Sequence, residues 1–344
     1  MKSILFIGPL SYKKPTIKGA LIKNQHLVNF FNKKFNNVKY IDTVNFNANP
    51  FVILNIIYNV VIRKNDNIVM GTSSKSTYHI VSFFQFFKIK RNLFYFVVGG
   101  DFLSFVRSSD KVKKYLDNFI KIIVEGQQLK KELNNLSVDN CETIPNLRNF
   151  SYIPKLKHKT NKIRFVFFSR ICAEKGVDLI IKSAIKINEL GYSKNFSVDF
   201  YGNIDDDYKE LFFEQISEIK NIQFRGVLDL NKIRNYDTLA GFDILLFPTY
   251  FNGEGFPGVL IDAFIAGLPV IASDWSLNAE VVQNGYTGLL IKPKSSDELA
   301  KAMLSFMDGD INVNKMSVNC QKSCLNYKID NVLNDELLRK IKFL

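Results

Sequence analysis

Gly241-Phe-Asp-Ile-Leu-Leu-Phe-Pro248 is followed without a gap by Thr249-Tyr-Phe-Asn-Gly-Glu-Gly-Phe-Pro-Gly258, and then by Val259-Leu-Ile-Asp-Ala-Phe-Ile-Ala-Gly-Leu-Pro-Val-Ile-Ala-Ser273. The first segment is a continuous apolar run stopped by Pro248, the pattern of a strand buried on both faces of a parallel sheet. Three glycines follow, which let backbone approach closely, and a helix opens directly after them. Val259 with Ala263, and Leu260 with Phe264, form its i, i+4 apolar face, and Gly267 with Pro269 ends it. Residues 269–273 are the next buried strand. A helix N-terminus reached through glycines at the carboxyl end of a parallel strand offers unpaired N–H groups and the positive end of a dipole. Its natural ligand is an anion. Glu254 in the loop and Asp262 inside the helix are the carboxylates that accompany it; taken singly, each would read as a solvated acid.

Upstream, Ile163-Arg-Phe-Val-Phe-Phe-Ser-Arg170 is another buried strand, followed by Ile-Cys-Ala-Glu-Lys-Gly176 and a helix over 177–190. A strand-end Arg170 and a Lys175 five residues on, just before a helix, can converge on one anion. Strand patterns at 197–201 and 222–226 end at Gly202 and at Gly226 with Val227. Asp205-Asp-Asp207 contains an Asp-x-Asp, but it lies in a polar turn before a helix and reads as solvated rather than metal-binding. Asn278 and Glu280, after Trp275, fall near the rim of the same site.

The first half repeats the alternation of strand and helix, which argues for parallel sheets wrapped by helices. Strands are expected at 3–8, 38–42, 67–70, 93–98 and 121–125, with a helix from Gly19 to about 31. Residues 110–118 read as a basic amphipathic helix, with Val112, Tyr115, Leu116 and Phe119 to one side and Lys111, Lys113 and Lys114 around them. This is a packed surface helix or, as a second reading, a membrane-surface helix. The apolar run 51–62 is short of the roughly 20 residues needed to span a bilayer. A Pro- and Lys-rich stretch at 154–162 separates a first domain, 1–155 completed by a helix at about 325–344, from a second, 160–324.

The 344 residues are 47% hydrophobic, enough for two cores. The net charge of +13 is uneven: residues 1–150 hold 22 Lys/Arg against 9 Asp/Glu, and the remainder holds 24 of each. The first half therefore faces an anionic partner, lipid headgroups or nucleic acid, unless its lysines only reflect genome composition. The four cysteines form no CxxC pair and there are three histidines, so neither a disulfide scaffold nor a zinc site is indicated, and a reducing cytoplasm fits best. The apolar start at residues 4–7 is too short for a signal segment.

Glu254-Gly-Phe-Pro-Gly-Val-Leu-Ile-Asp262, continuing to Ala272, resembles the Glu-x7-Glu signature of the retaining GT-B glycosyltransferases of family 4, the glycosyl transferases group 1, of the bacterial surface polysaccharide type. The resemblance implies an α/β GT-B fold, two Rossmann-like domains facing a cleft. It puts Glu254 on the donor sugar's hydroxyls, the backbone of Gly255, Phe256, Pro257 and Gly258 on the diphosphate, and Asp262 on the nucleotide ribose. Asp262 replaces the family's second Glu, and one methylene less shortens its reach by about 1.5 Å. Arg170 and Lys175 resemble the pair that neutralises the leaving nucleoside diphosphate. Gly202, Gly226 and Val227 resemble the strand ends that hold the base. Gly99-Gly100-Asp101 and the helix start at Gly19 resemble the acceptor side, where many members carry a histidine that this chain lacks. Ile144-Pro-Asn-Leu-Arg148 resembles the segment before the family's interdomain linker.

The implied reaction transfers a sugar from a UDP- or GDP-sugar to a hydroxyl of a lipid-linked or other glycan acceptor, with retention. No metal and no cofactor is expected, because cations and a helix dipole take the metal's electrostatic role. The expected setting is the cytoplasmic face of the cell membrane, bound peripherally to anionic lipid, with no nucleic acid. Two rivals are a DNA-modifying glycosyltransferase, for which no interleaved aromatic and basic strip is found, and a noncatalytic sugar-nucleotide-binding subunit.

Overall fold

A computed structural model of the chain describes residues 3–11, 19–44, 51–62, 67–156, 162–230, 232 and 234–344. It divides into two compact units, Met1–Asn149 with Tyr327–Leu344, and Phe150–Asn326. Most of the stretch 154–162 lies outside the described residues.

The first unit is a six-stranded parallel sheet of β1 (Ile4–Gly8), β2 (Val38–Asp42), β3 (Asn67–Met70), β4 (Asn92–Phe96), β5 (Phe119–Val124) and β6 (Cys141–Thr143), in the order β2-β1-β3-β4-β5-β6. Its helices are α1 (Gly19–Lys34), α2 (Phe51–Ile57, continued by a π turn Tyr58–Ile62), α3 (Ser74–Phe86), α4 (Phe102–Arg107), α5 (Asp110–Leu116) and α6 (Gln127–Asn135). Because side chains alternate across a strand, both faces of β1 and β3 to β5 must be apolar to be covered, and they are. Leu5, Ile7, Ile68, Met70 and Tyr95 pack with Ile56, Ile80, Val81, Phe102, Tyr115 and Leu133 from the helices that follow β2 to β5. Ile4, Phe6, Val69 and Phe94 pack on the other side with Phe31 of α1 and with the chain's last residues. There Phe343 stacks on Phe31 at 5.2 Å between ring centres, and the Asn67 side-chain amide donates to its carbonyl at 3.0 Å. This is why the tail, through α14 (Ile329–Val332) and α15 (Asp335–Lys340), belongs to the first unit.

Helix α5 sends Val112, Tyr115 and Leu116 into that core. Its apolar side is therefore consumed, leaving Lys111 and Lys114 on an outer face with no apolar surface of its own, while Lys113 pairs with Asp110 at 3.1 Å. The helix is thus the packed surface helix of the first reading.

The second unit contains β7 (Ile163–Phe168), β8 (Phe196–Tyr201), β9 (Ile222–Phe224), β10 (Ile244–Phe247), β11 (Val270–Ser273) and β12 (Gly288–Ile291), all parallel, in the order β12-β11-β10-β7-β8-β9. One face is covered by α7 (Val177–Glu189), α8 (Lys209–Ile216) and α12 (Ser296–Met307) over Phe165, Phe167, Phe196, Phe200 and Leu246. The remaining helices are α9 (Asn235–Leu239), α10 (Gly258–Ala266), α11 (Asn278–Val281) and α13 (Val313–Cys324), and α10 packs against α9 and α13. Gly267, in the left-handed conformation at φ 74°, ends α10 as its sequence requires.

All four cysteines, Cys141, Cys172, Cys320 and Cys324, are free and buried. Burial pushes the Cys141 thiol up to about 12 and raises that of Cys172. The thiolate is the reactive form. Ellman's reagent at pH 8 is therefore expected to modify none of the four cysteines in the native protein and all four after guanidinium unfolding. A thiol that reacts rapidly in the native state would contradict this packing.

Candidate active site

In the second sheet β7 and β10 are neighbours, and the chain departs from them in opposite directions, to β8 and β9 on one side and to β11 and β12 on the other. Ligands of open parallel sheets sit beyond the carboxyl ends of the strands at such a reversal. Arg170 and Lys175 follow β7, and Glu254 follows β10.

A single 3-10 turn, Ala173–Lys175, ends at Gly176, which has φ 79°. A Cβ on Gly176 would lie 2.3 Å from the Pro248 carbonyl oxygen, so glycine alone lets this turn rest on the exit of β10. The Tyr250 N–H donates to the Glu174 carbonyl at 2.8 Å and closes the contact. The consequence is an ion pair between Lys175 Nζ and Glu254 Oε2, side chains 10% and 11% exposed. Thr249 Oγ1 donates to the same oxygen at 3.0 Å. Both of these donors reach Oε2, and among the described residues no protein donor reaches Oε1.

Phe251 gathers the cations. Lys175 Nζ lies 5.0 Å from its ring centre and the Arg170 guanidinium 5.2 Å, a geometry in which the ring's negative face offsets their mutual repulsion. Arg170 Nη1 also donates to Asp205 Oδ2 at 3.1 Å. Asp205 is thus an ion-pair partner rather than a solvated turn acid, because its own N–H reaches back to the Ile171 carbonyl at 3.1 Å. Burial first, then the carboxylates of Asp178 and Glu174, raise the nearby Tyr250 hydroxyl above its ordinary range.

The Glu254 loop is held from its far side by the exit of β11. Trp275 Nε1 donates to the Phe251 carbonyl at 2.9 Å and Ser276 Oγ to the Glu254 carbonyl at 2.7 Å, while Ser273 Oγ donates to the Thr249 carbonyl. Asn278, read from sequence as a rim residue, is fully buried and donates to the Ser273 carbonyl at 2.9 Å, so it supports this clamp instead. Phe256 is buried and anchors the loop; Gly255 and Gly258 are half-buried. Pro257 stands at the N-cap of α10 with no capping side chain, and it has no N–H of its own, so the helix offers the amides that follow it. Asp262, buried in α10, accepts from the Tyr236 hydroxyl at 2.8 Å. Gly202 brings the β8 exit level with β7: a Cβ there would lie 1.7 Å from the Ser169 carbonyl oxygen, and its N–H donates to Gly226 at 2.9 Å. Val227 beside it is half exposed.

The acceptor-side residues belong to the first unit. Gly19 opens α1 with open space around it, Gly100 lies in a turn, and Asp101 is exposed before α4 and makes no capping bond. Sequence reading passed over a stronger feature at the exits of β4 and β5. Lys23 is buried and donates to the Val97 carbonyl at 3.0 Å and to Glu125 Oε1 at 2.8 Å. Asn24 beside it bonds the Pro9 and Gly71 carbonyls at 3.0 and 2.9 Å. The signal was available, since Asn24 precedes Leu27 and Val28 by three and four residues on the buried stripe of α1. Among the described residues no three His, Cys, Asp or Glu side chains come together as metal ligands.

The Gly176 contact gives a direct test. Gly176→Ala combines a positive φ with a backbone clash and is expected to destabilise the protein by about 2–4 kcal/mol. Gly226→Ala, at φ 83° with open space around it, should cost only about 1 kcal/mol. Denaturant midpoints compare them, and equal losses would mean the Pro248 contact is unimportant.

The family model for "Glycosyl transferases group 1" matches residues 149–323. A capsular polysaccharide biosynthesis glycosyltransferase of Staphylococcus aureus is 29% identical over 193 residues, covering 51% of each chain. The chain spans about half the length of the curated relatives it matches. Among solved structures, a sucrose-phosphate synthase from Thermosynechococcus elongatus superposes with a TM-score of 0.80 at 16% identity, over 100% of this chain and 99% of that one. Anabaena HepE in complex with UDP-glucose gives 0.72 at 15% identity over 100% of both. These structural likenesses establish the GT-B fold.

Proposed function

Because the chain belongs to the glycosyl transferases group 1, we propose that it transfers a sugar from a nucleotide-sugar donor to a glycan hydroxyl in polysaccharide or glycolipid assembly. The observation that carries this reading is the convergence of Arg170, Lys175 and Glu254 at the β7/β10 reversal, beside an uncapped helix N-terminus. Such a site suits a diphosphate: two cations and the amides after Pro257 stabilise its charge, most strongly as it departs. Glu254 Oε1 accepts from the donor sugar's hydroxyls. Asp262, steadied by Tyr236, serves the ribose, and Gly202, Gly226 and Val227 frame the base.

In the step itself the bond from the anomeric carbon to the diphosphate oxygen breaks and the acceptor oxygen bonds to that carbon from the same face, retaining configuration. The acceptor's proton passes to the departing diphosphate. With charge neutralised by Arg170, Lys175 and the helix dipole, the step proceeds without a metal. UDP and UDP-glucose in structural relatives support a UDP-sugar, with a GDP-sugar as the second candidate. Gly19, Gly100 and Asp101 lie on the acceptor's unit. No helix among the described residues is long and apolar enough to cross a membrane. The excess of Lys and Arg in the first half supports a peripheral position on the anionic inner face of the cell membrane, with a lipid-linked acceptor.

A thermal-shift panel of UDP-, GDP- and other sugar nucleotides tests the donor half. One member should raise the melting temperature, since a ligand of the native state alone stabilises it. No shift with any of them would sink the proposal, whereas binding without turnover would favour the sugar-nucleotide-binding subunit.

A further inference from the structure

The structure carries an exposed apolar surface far from the donor motifs in sequence. Helix α2 and its π turn are apolar on both sides except for Asn55 and Asn59. Ile56 and Val60 are buried against the first sheet, yet Phe51 is 72% exposed, Leu54 59% and Tyr58 48%, and with Val61 these recur at three- and four-residue spacing along one outward stripe. A helix hydrophobic on both sides is ordinarily buried on both. At the end of α3, Phe86 is 80% exposed and Phe87 56%, their rings 5.0 Å apart. Arg91 ties the two features together, donating from Nε and Nη2 to the Val60 carbonyl at 3.1 and 2.8 Å.

The flanking charge identifies the partner. Lys88 and Lys90 are exposed directly after the phenylalanine pair, and Lys39 lies beside Tyr40, Asn55 and Tyr58 around an open cavity of about 370 Å³. Between residues 43 and 100 the sequence holds six Lys/Arg and a single acid, Asp66. Protein interfaces deplete lysine and balance charge, whereas an apolar surface edged by Lys39, Lys88 and Lys90 fits an anionic lipid surface.

We infer that the outward stripe of α2, with Phe86 and Phe87, is the surface by which this chain docks on an anionic membrane, the aromatic side chains entering the headgroup boundary and Lys88 and Lys90 meeting lipid phosphates. This rests on the peripheral-membrane part of the proposed function and assigns it to α2 and α3 rather than to the lysines of α5.

Flotation with phosphatidylglycerol vesicles, against phosphatidylcholine vesicles, is the test. Wild type should partition about tenfold or more toward the anionic vesicles, and Lys88→Glu with Lys90→Glu should reduce this by about tenfold or more. Phe86→Ser with Phe87→Ser should do the same at unchanged melting temperature. Since the native cysteines are buried, a fluorophore on Leu54→Cys reports selectively and should shift to the blue on anionic vesicles. Undiminished binding of both double variants, or a silent label at 54 with a responsive one on Lys111→Cys, overturns this surface while leaving membrane association standing. A concentration-dependent dimer abolished by Phe86→Ser with Phe87→Ser would overturn it in favour of a second copy. Absence of wild-type binding to either vesicle removes the membrane reading itself.

Discussion

Glu254→Gln is expected to lower turnover on the nucleotide-sugar donor by about 10²-fold or more, with the fold retained. Glutamine keeps the shape and can still accept from Lys175 and Thr249, but it removes the charge that faces the sugar. Alanine is the poorer choice. Both substitutions take the counter-charge from Lys175, 10% exposed, but alanine also removes the acceptor of its ammonium, and breaking a buried pair from one side costs about 3–5 kcal/mol. Steady-state rates alongside melting curves make the comparison. Near-normal turnover in a folded Glu254→Gln protein would remove this carboxylate from the chemistry.

Lys175→Met should lower turnover by about 10²- to 10³-fold, the loss expected when one preorganised donor to a developing negative charge is removed. Methionine keeps an unbranched stem and loses only the ammonium, which lies 5.6 Å from the Phe247 ring centre and 5.0 Å from that of Phe251. If the ammonium acts chiefly on the departing diphosphate, kcat falls and KM changes little. A raised KM at unchanged kcat would instead assign Lys175 to ground-state binding. Since Lys175 and Glu254 act as one unit, the double variant should lose less than the product of the single losses.

The second sheet was legible because its strands are short apolar runs closed by Pro or Gly: Pro248 follows β10, Gly202 follows β8, and Gly267 ends α10 where the spacing of Val259 and Ala263 stops. The first unit was less so. Helix α3 begins Ser74-Lys-Ser-Thr, a polar first turn capped by Ser73 Oγ on the Ser76 N–H, and its apolar stripe starts only at Ile80. The run 51–62 was weighed for its length against a bilayer. That it is a helix with one face buried and one exposed depends on packing that no periodicity reports. At the site, residue types and spacing pointed to Arg170, Lys175 and Glu254, but their contacts depend on backbone approach. The ion pair requires Gly176 to rest on Pro248, and the Arg170–Asp205 bond requires residues 204 and 205 to fold back on Ile171. The clamp by Ser273, Trp275 and Ser276 reached the Glu254 loop from 22 to 24 residues away and left no pattern in the sequence.

Under the proposed function, Arg170 and the paired Lys175 and Glu254 promote cleavage of a nucleotide-sugar at its anomeric bond. Release of nucleoside diphosphate from the donor selected by thermal shift, followed in a coupled assay with wild type and Glu254→Gln side by side, tests it most directly. Wild type should release the diphosphate, slowly to water and faster once an acceptor is supplied, and Glu254→Gln should release it about 10²-fold more slowly in a protein that stays folded. No release by wild type from a donor that it binds, or equal release by both proteins, would contradict the account.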